Sequence, residues 1–215
     1  MAGVIRVAIV DDHPVVLSGL HTALASVPDI DIVAACGTLA DAREIAQRDD
    51  IDVLLLDVRL PDGNGLELLA HRSPQRGPAI LILSSFKSRQ YVAAALRFGA
   101  NGFLLKTTPL EELIAAIRAV ARGGSAFTND QLREGQTGFV NLTERERAIV
   151  GLVIAGKSND EIARLQATSR KTVEYHLSRL YERFGIMTRV ELALRADHEG
   201  WLDIGPGEHP ELPRE

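Results

Sequence analysis

The chain has 215 residues, 46% of them hydrophobic, and a formal net charge of −5. Its single cysteine excludes an internal disulfide, and no apolar run approaches the roughly 20 residues that a membrane-spanning helix needs. Acidic side chains appear from residue 11, which argues against a signal peptide. We therefore expect a cytoplasmic protein with no membrane partner, long enough for two small domains.

Residues 1–121 alternate short apolar runs with stretches of helical periodicity. The runs are rich in Val, Ile and Leu and predict five strands, at residues 4–10, 30–35, 51–57, 79–84 and 102–105. This alternation predicts an α/β domain with a doubly wound parallel sheet and helices on both faces. Right-handed crossovers bring the carboxyl ends of the strands to one edge, where such sheets bind ligands.

The rest of the chain is predicted to be a linker, a helical domain and a tail. Residues 122–140 are glycine-rich and polar and predict a linker. Residues 141–198 have a purely helical pattern and predict an all-α domain of four helices, with a net charge of +3 over residues 141–195. That basic block is where a polyanion would bind. Residues 199–215 contain three prolines and many acids and predict a disordered tail.

Charged and polar side chains lie at, or directly after, the carboxyl ends of four of the five predicted strands. They are Asp11 and Asp12, then Asp57, then Ser84, and finally Lys106. Three carboxylates at one edge repel one another, and a divalent cation with oxygen ligands relieves that repulsion. A metal ion beside a lysine and a hydroxyl suits a phosphoryl group, and an aspartate there can be the nucleophile. The residues alone leave open that the acids only cap helices and turns and that Lys106 is solvated.

Four stretches within residues 4–121 resemble the receiver domain of two-component response regulators: VAIVDDHPVVLSGL, LLLDVRLPDGNGLELL, ILILSSF and GANGFLLKTTPLEELIAAI. The resemblance implies that a sensor histidine kinase is a partner and transfers a phosphoryl group to Asp57. It also implies a Mg²⁺ cofactor. The ligands would be Asp12 directly, Asp11 largely through water, Asp57 and the backbone carbonyl of Arg59.

The same resemblance implies a phosphoryl-binding pair and a switch. Ser84 and Lys106 would hold the phosphoryl oxygens, and Phe103 would move inward as Ser84 turns to the phosphate. Ordinary core packing of Phe103 is the alternative. The protein would not be an enzyme, although its receiver assists the Mg²⁺-dependent phosphoryl transfer and hydrolysis at Asp57. A phosphatase using this nucleophile would need a second aspartate where Arg59 stands.

Residues 142–195 carry the signals of a series of capped helices. Thr143 and Glu146 have the spacing of a capping box, and Ser158 and Ser169 are N-cap candidates. The four-three-four spacing of apolar residues predicts the buried face of the third helix: Val173, Leu177, Leu180 and Phe184. This pattern suits a helix-turn-helix motif and a helical bundle for protein contacts equally well.

The sequence LTERE…GKSNDEIA…SRKTVEYHLSRLYERFG resembles the LuxR/NarL-type helix-turn-helix DNA-binding domain over residues 141–196. The resemblance makes residues 169–184 the recognition helix and duplex promoter DNA the partner. The implied DNA-binding residues are Ser169, Arg170, Lys171, Thr172, Glu174, Tyr175, Ser178, Arg179 and Arg183. Base edges would face Lys171, Glu174, Tyr175 and Ser178, while Thr172 and the arginines would mostly meet phosphates.

Two features depart from that family. The turn contains Gln166, Ala167 and Thr168 where the family usually has Leu, Gly and Ile or Val. Glu174 stands where a basic residue often meets DNA, and it could accept from a cytosine amino group or repel the backbone. The alternative function is therefore a phospho-switched protein–protein module with weak or no specific DNA binding.

The resemblance also implies how the halves cooperate. The unphosphorylated receiver would cover residues 169–184, and phosphorylation of Asp57 would release them. Two subunits would then form a homodimer through residues 189–198 and read half-sites one helical turn apart. The pairing residues would be Val190, Leu192, Ala193 and Leu194.

Overall fold

The computed structural model describes residues 3–70, 77–135 and 140–203 of the chain. The chain divides into two compact units, Met1–Phe139 and Val140–Glu215. Within the described ranges, no helix combines the length and the apolar character needed to cross a bilayer.

The first unit is built on a parallel sheet. Its strands in chain order are β1 (Ile5–Val10), β2 (Ile30–Cys36), β3 (Val53–Asp57), β4 (Arg59–Leu60), β5 (Gly63–Asn64), β6 (Ala79–Ser84) and β7 (Gly102–Leu105). Five of them form one sheet in the order β2-β1-β3-β6-β7, all parallel, while β4 and β5 form a small antiparallel pair. The order reverses between β1 and β3, and the crevice at their carboxyl ends is where doubly wound sheets bind ligands.

Helices cover both faces of this sheet. They are α1 (Pro14–Leu24), α2 (Leu39–Ile45), α3 (Gly65–Ala70), α4 (Arg89–Arg97), α5 (Leu110–Ala121) and α6 (Asn129–Gly135). One hydrophobic core joins α1 and α5 to the sheet. On the other side, α3 lies against α2 and α4. The predicted α/β fold class is confirmed.

Strand β3 shows why its sequence is an unbroken apolar run. Val53 and Leu55 belong to the core under α1 and α5. Leu54 and Leu56 are equally buried and, because strand side chains alternate, point to the opposite face. A strand covered on both faces needs apolar residues at every position. Asp57 interrupts that run at the carboxyl end, where the sheet opens.

The segment predicted as a linker, residues 122–140, contains helix α6. Thr128 and Gln131 cap it reciprocally, since the Gln131 amide donates to Thr128 Oγ1 (3.2 Å) and the Thr128 amide donates to Gln131 Oε1 (2.8 Å). Gln131 Nε2 also donates to the Phe103 carbonyl at 3.0 Å, which ties α6 to β7. Two turns are too short to produce a clear periodicity, so the linker prediction missed this helix.

The second unit contains four helices, α7 (Glu144–Ile154), α8 (Asn159–Leu165), α9 (Arg170–Phe184) and α10 (Arg189–His198). One core joins all four, as the sequence predicts. The predicted inner face of α9 is confirmed, because Val173, Leu177 and Leu180 are buried and Phe184 packs against the same core.

Local signals fix where these helices begin. Thr143 and Glu146 form a complete capping box at α7, and Ser158 and Glu161 form another at α8. The Ser169 hydroxyl accepts from the Thr172 amide at the start of α9. Each cap satisfies backbone N–H groups that have no partner within the helix. The predicted caps are therefore confirmed.

The disordered tail was predicted to start at residue 199, which is too early in the chain. Trp201 is fully buried, and its ring centroid lies 4.4 Å from that of Phe184. Arg147 donates to the carbonyls of Trp201 and Leu202. The prediction is therefore wrong for residues 199–203, because one aromatic anchor outweighs the polar composition around it. Residues 204–215 lie outside the described ranges.

The turn between α8 and α9 has an alanine at the position after a helix where glycine is usual. The Ala167 amide donates to the Arg164 carbonyl (3.2 Å) and the Thr168 amide to the Ala163 carbonyl (2.9 Å), which is the Schellman pattern. Ala167 has φ +46°, in the left-handed region that glycine tolerates best. The corresponding position after α7 is Gly156, with φ +72°.

Candidate functional sites

Three charged side chains meet at the carboxyl edge of the first unit's sheet. Lys106 Nζ lies 2.6 Å from Asp57 Oδ2 and 2.6 Å from Asp11 Oδ2. All three side chains are largely withdrawn from solvent, with exposed fractions of 10% for Lys106, 5% for Asp57 and 2% for Asp11. Residues far apart in the chain thus form one compact cluster, as the sequence predicts.

The backbone around the cluster is fixed by the sheet. The Lys106 amide donates to the Ser84 carbonyl at 2.8 Å, and the Asp11 amide donates to the Cys36 carbonyl at 3.0 Å. These bonds extend the strand ladders beyond their ends, so the side chains are aimed by the sheet itself. A Cβ on Gly65 would collide with the Asp57 carbonyl, so only glycine lets α3 begin this close to β3.

Burial and charge pull the ionisation of this cluster in opposite directions. Burial raises the pKa of Asp57, Lys106 opposes that rise, and Asp11 adds to it. Burial lowers the pKa of Lys106, but its contacts with Asp11 and Asp57 outweigh burial and hold the pKa above its ordinary value. Lys106 therefore remains a cation, although it is shared by two carboxylates.

The same edge of the sheet carries side chains that can ligate a metal ion. One ligand atom from each of Asp11, Asp12, His13 and Asp57 lies within 4.8 Å of the others. Although Asp11 Oδ2 approaches Lys106, this buried atom forms no well-aligned hydrogen bond, so it retains the capacity to accept. The donor set is compatible with a metal ion.

His13 was not among the predicted site residues. Its amide donates to Asp11 Oδ1 at 2.9 Å, and its Nδ1 lies 2.6 Å from Asp12 Oδ1. The signal that could have found it is its position directly after the two aspartates. Its side chain is exposed and lies beside the Asp12 carboxylate at the acidic edge.

Ser84 and Phe103 lie on the neighbouring strands β6 and β7, and both are almost fully buried. The Ser84 hydroxyl donates to the Phe86 carbonyl at 3.1 Å and also lies 3.1 Å from the Phe86 amide. It is thus engaged with the loop after β6. The ring of Phe103 lies inside the unit in this structure, where it packs as core.

Arg59 lies beside Asp57, and its amide is 3.4 Å from Asp57 Oδ1. Its Nε donates to the Tyr91 hydroxyl at 3.1 Å, and its guanidinium carbon lies 5.1 Å from the centroid of the Phe86 ring. Neither aromatic partner was predicted, because the contacts of β4 with α4 and with the loop after β6 leave no local pattern in the sequence. Arg59 thereby connects the acidic edge to the loop that holds Ser84.

The outer face of α9 is polar and open to solvent. Lys171, Glu174, Tyr175 and Ser178 are all exposed, as the sequence predicts. Arg179 stacks on Tyr175, with its guanidinium carbon 5.8 Å from the ring centroid. Tyr175 is therefore held in place by a cation–π contact.

The other predicted contact residues have partners within the second unit. Ser169 and Thr172 join their hydroxyls at 2.8 Å. Arg183 NH2 lies 3.4 Å from Glu146 Oε2, and its guanidinium carbon is 4.5 Å from the Phe184 ring centroid. Arg183 is therefore tied to the capping box of α7.

Arg170 is the first residue of α9 and is bracketed by two acids. Its Nε donates to Glu174 Oε1 at 2.8 Å, and its NH1 donates to Asp160 Oδ2 at 3.2 Å. Hydrogen bonding to Glu174 and attraction to Asp160 raise the pKa of Arg170. All three side chains remain largely exposed.

The predicted pairing surface on α10 needs a correction. Leu192 is fully buried in the core of the second unit and Ala193 packs against it, so Leu192 cannot contact a second subunit. Val190 and Leu194 are 66% and 67% exposed, one turn apart on the opposite face. Met187, just before the helix, is 85% exposed and was missed. The apolar surface is therefore narrower than predicted.

Comparisons with known proteins match both units. Residues 7–118 match the response regulator receiver domain, and residues 140–196 match the bacterial regulatory proteins of the luxR family. The chain is 38% identical to the transcriptional regulatory protein UhpA of Escherichia coli, covering 92% of this chain and 100% of that protein. It is 36% identical to the DNA-binding transcriptional activator DevR/DosR of Mycobacterium tuberculosis, covering 89% and 94%.

A solved structure agrees with this assignment. The response regulator ChrA of a heme-sensing two-component system is 29% identical and covers 93% of this chain and 100% of that one, with a TM-score of 0.55. The receiver match and the luxR-family match thus follow one another in a single chain. The chain belongs to the two-component response regulators of the NarL/LuxR class, in which a receiver domain precedes a LuxR-family regulatory domain.

Proposed function

We propose that this protein is a DNA-binding transcriptional regulator controlled by phosphorylation of Asp57. The observation that carries the proposal is the buried cluster in which Lys106 bridges Asp57 and Asp11 at the carboxyl edge of the sheet. A carboxylate in that position reaches incoming phosphoryl groups from the open edge. The lysine lies where it can balance the charge that arrives.

The acceptor step needs a nucleophile, a counter-charge and a donor. An Asp57 carboxylate oxygen forms the new O–P bond while the N–P bond of a phosphohistidine on the sensor kinase breaks. Mg²⁺, when bound, would partly neutralise the charge on the phosphoryl oxygens. Its ligands would be Asp11, Asp12, Asp57 and the carbonyl of Arg59. Lys106 and Ser84 hold the remaining phosphoryl oxygens, so the receiver assists both the transfer and the later hydrolysis.

Phosphorylation of Asp57 changes the local charge, and Ser84 and Phe103 rearrange in response. Ser84 gives up its contact with the Phe86 carbonyl when its hydroxyl turns to the phosphoryl group. Phe103 lies on β7, the strand next to the one that carries Ser84, and completes the proposed switch pair. Phosphorylation shifts the balance between two states only by its differential affinity for them. The favoured state is the one in which residues 169–184 are accessible.

DNA binding follows from the second unit. A relative with 36% identity is a DNA-binding transcriptional activator. The exposed face of α9 presents Lys171, Tyr175 and Ser178 in the position of a recognition helix. Val190 and Leu194, with Met187, form the apolar strip through which two subunits pair. A two-fold dimer then reads two half-sites.

Phosphoryl labelling tests the first part of this proposal. Wild-type protein incubated with Mg²⁺ and acetyl phosphate should gain one acid-stable, base-labile phosphoryl group, and Asp57→Asn should gain none. Asp62→Asn is the matched control, because Asp62 lies on the same loop but caps α2 through the amides of Leu39 and Ala40. Equal labelling of wild type and Asp57→Asn would refute the acceptor assignment.

Salt-dependent binding to duplex DNA tests the second part. Phosphate contacts make log Kd change linearly with log salt, so a DNA-binding protein must show that slope. Phosphorylated protein should bind promoter duplex with such a slope. A labelled protein that binds no duplex would instead be a phospho-switched protein–protein module.

A further inference from the structure

The contacts of Arg170 explain an acidic residue in the middle of the proposed recognition face. Glu174 is 47% exposed and stands among Lys171, Tyr175 and Ser178. A lone carboxylate there would repel the DNA backbone. The Glu174 carboxylate is paired, because its Oε1 accepts a hydrogen bond from Arg170 Nε at 2.8 Å. On the far side, Asp160 of α8 accepts from Arg170 NH1 at 3.2 Å.

The two acids restrict a side chain that is otherwise flexible. An arginine loses considerable rotamer freedom when it is fixed, and this cost weakens any contact it then makes. Here two bonds from two different helices fix the guanidinium before a ligand arrives. A guanidinium carries five N–H groups, so these bonds leave others able to donate.

The position of the guanidinium favours the base edges. Arg170 opens α9, and the N-terminal residues of a recognition helix are those that reach base edges in the major groove. Its bond to Glu174, one turn further on, draws the guanidinium onto the face that Glu174 and Ser178 share. These residues border one open cleft of about 420 Å³ together with Ser158, Asn159 and Asp160.

Charge distinguishes a base from a phosphate as the acceptor. Arg170 with Asp160 and Glu174 carries a net charge of −1, so moving this group onto a phosphate would bring two carboxylates near another anion. A guanine edge is uncharged and offers two acceptors, O6 and N7, that match an arginine fork. The arrangement therefore suits guanine better than the backbone.

We propose that Glu174 is a positioning residue for DNA recognition, which with Asp160 holds Arg170 to donate to a guanine edge. This inference rests on the proposed DNA-binding function. It replaces the two roles that the sequence allowed for Glu174, direct reading of cytosine and simple repulsion. It also moves Arg170 from the phosphate contacts to the base contacts.

The test measures base preference rather than affinity alone. Full-length protein activated with Mg²⁺ and beryllofluoride selects its site from a randomised duplex pool, and Kd is then measured for duplexes with each base at each half-site position. We expect one position where wild type prefers guanine by about 10-fold. Replacing that guanine by 7-deazaguanine, which lacks N7, should remove most of the preference.

Three variants test whether the guanine preference depends on Arg170 and on the two acids that hold it. Glu174→Gln and Asp160→Asn should each reduce it several-fold, and Arg170→Lys, which keeps the charge but loses the fork, should abolish it. Glu182→Gln is the matched control, since it removes the same charge from an exposed site on the same helix and should leave the preference intact. Circular dichroism confirms that each variant folds.

Other outcomes separate the possible failures. If Glu174→Gln binds every sequence more tightly with an unchanged preference, Glu174 merely repels DNA and the inference is wrong. If the lost preference is for cytosine, Glu174 reads a base itself. If Arg170→Met, which removes the charge, weakens binding to all duplexes equally and lowers the salt slope, Arg170 contacts a phosphate. Wild type that selects no duplex at all would overturn the proposed DNA-binding function, whatever the variants do.

Discussion

Both candidate sites place one basic side chain between two carboxylates, but in opposite surroundings. In the receiver, Lys106 joins Asp11 and Asp57, and no side chain of the three is more than 10% exposed. On the helical unit, Arg170 joins Asp160 and Glu174, with side chains that are 47% to 61% exposed. The charges are the same in number and sign, so burial is the main difference between the two clusters.

Burial decides what each cluster can do. Removing one member of a buried set leaves an uncompensated charge away from water, which is costly. Exposed pairs are screened by solvent and contribute little to stability. The receiver cluster can therefore respond strongly to a new charge on Asp57. The cluster on α9 can vary in sequence without unfolding the domain, which suits a surface that reads DNA.

The largest expected effect is the loss of the buried cation. Lys106→Met keeps most of the side-chain volume but leaves Asp11 and Asp57 without their shared cation, so the first unit should lose about 3 kcal/mol of unfolding free energy. Urea unfolding measures this loss, and added Mg²⁺ should reduce it by supplying a cation. Arg170→Met is the exposed counterpart and should leave the stability of the second unit nearly unchanged. Equal losses from the two substitutions would break the comparison.

A smaller effect on stability is expected from the strained backbone of Ala167. Ala167 adopts φ +46° in the turn before α9, so Ala167→Gly should stabilise the second unit by about 1 kcal/mol. The reverse change at the equivalent position, Gly156→Ala, should destabilise it by a similar amount. Thermal unfolding of both variants measures the pair. A loss of stability in Ala167→Gly would show that the turn is not strained.

The smallest effect concerns the buried carboxylate of Glu146 at the start of α7. Burial raises the pKa of Glu146, but hydrogen bonds from Thr143 and the charge of Arg183 lower it more, so the net shift is downward. A carboxylate with a lowered pKa stabilises the fold above its unfolded pKa of 4.5 and loses that contribution as pH falls through the folded value. Glu146→Gln should therefore cost about 0.5 kcal/mol at pH 7 and progressively less as the pH falls below 4.5.

The second capping box supplies the control for that experiment. Glu161 closes the same motif with Ser158, but its side chain is 41% exposed against 11% for Glu146, so Glu161→Gln should change stability less at pH 7. Unfolding curves at several pH values measure both variants. A pH-independent loss in Glu146→Gln would assign its effect to packing instead of charge.

The sequence predicted those parts of the molecule that leave a local or periodic signal. The strands, the caps at Thr143, Ser158 and Ser169, and the residues gathered at the sheet edge all belong to this group. Helix α6 was missed because it is short, and the burial of Trp201 because one side chain carries no periodicity. The bracketing of Arg170 could not be foreseen, since Asp160 reaches it from another helix.

The central claim is that the charge state of the buried receiver cluster controls the helical unit. Sedimentation and DNA binding of the full chain with Mg²⁺, with and without beryllofluoride, test it most directly, because beryllofluoride on Asp57 stands in for the phosphoryl group. We predict that wild type changes from monomer to dimer and gains affinity for its duplex, while Asp57→Ala does neither. The same oligomeric state and the same affinity under both conditions in wild type would contradict the claim.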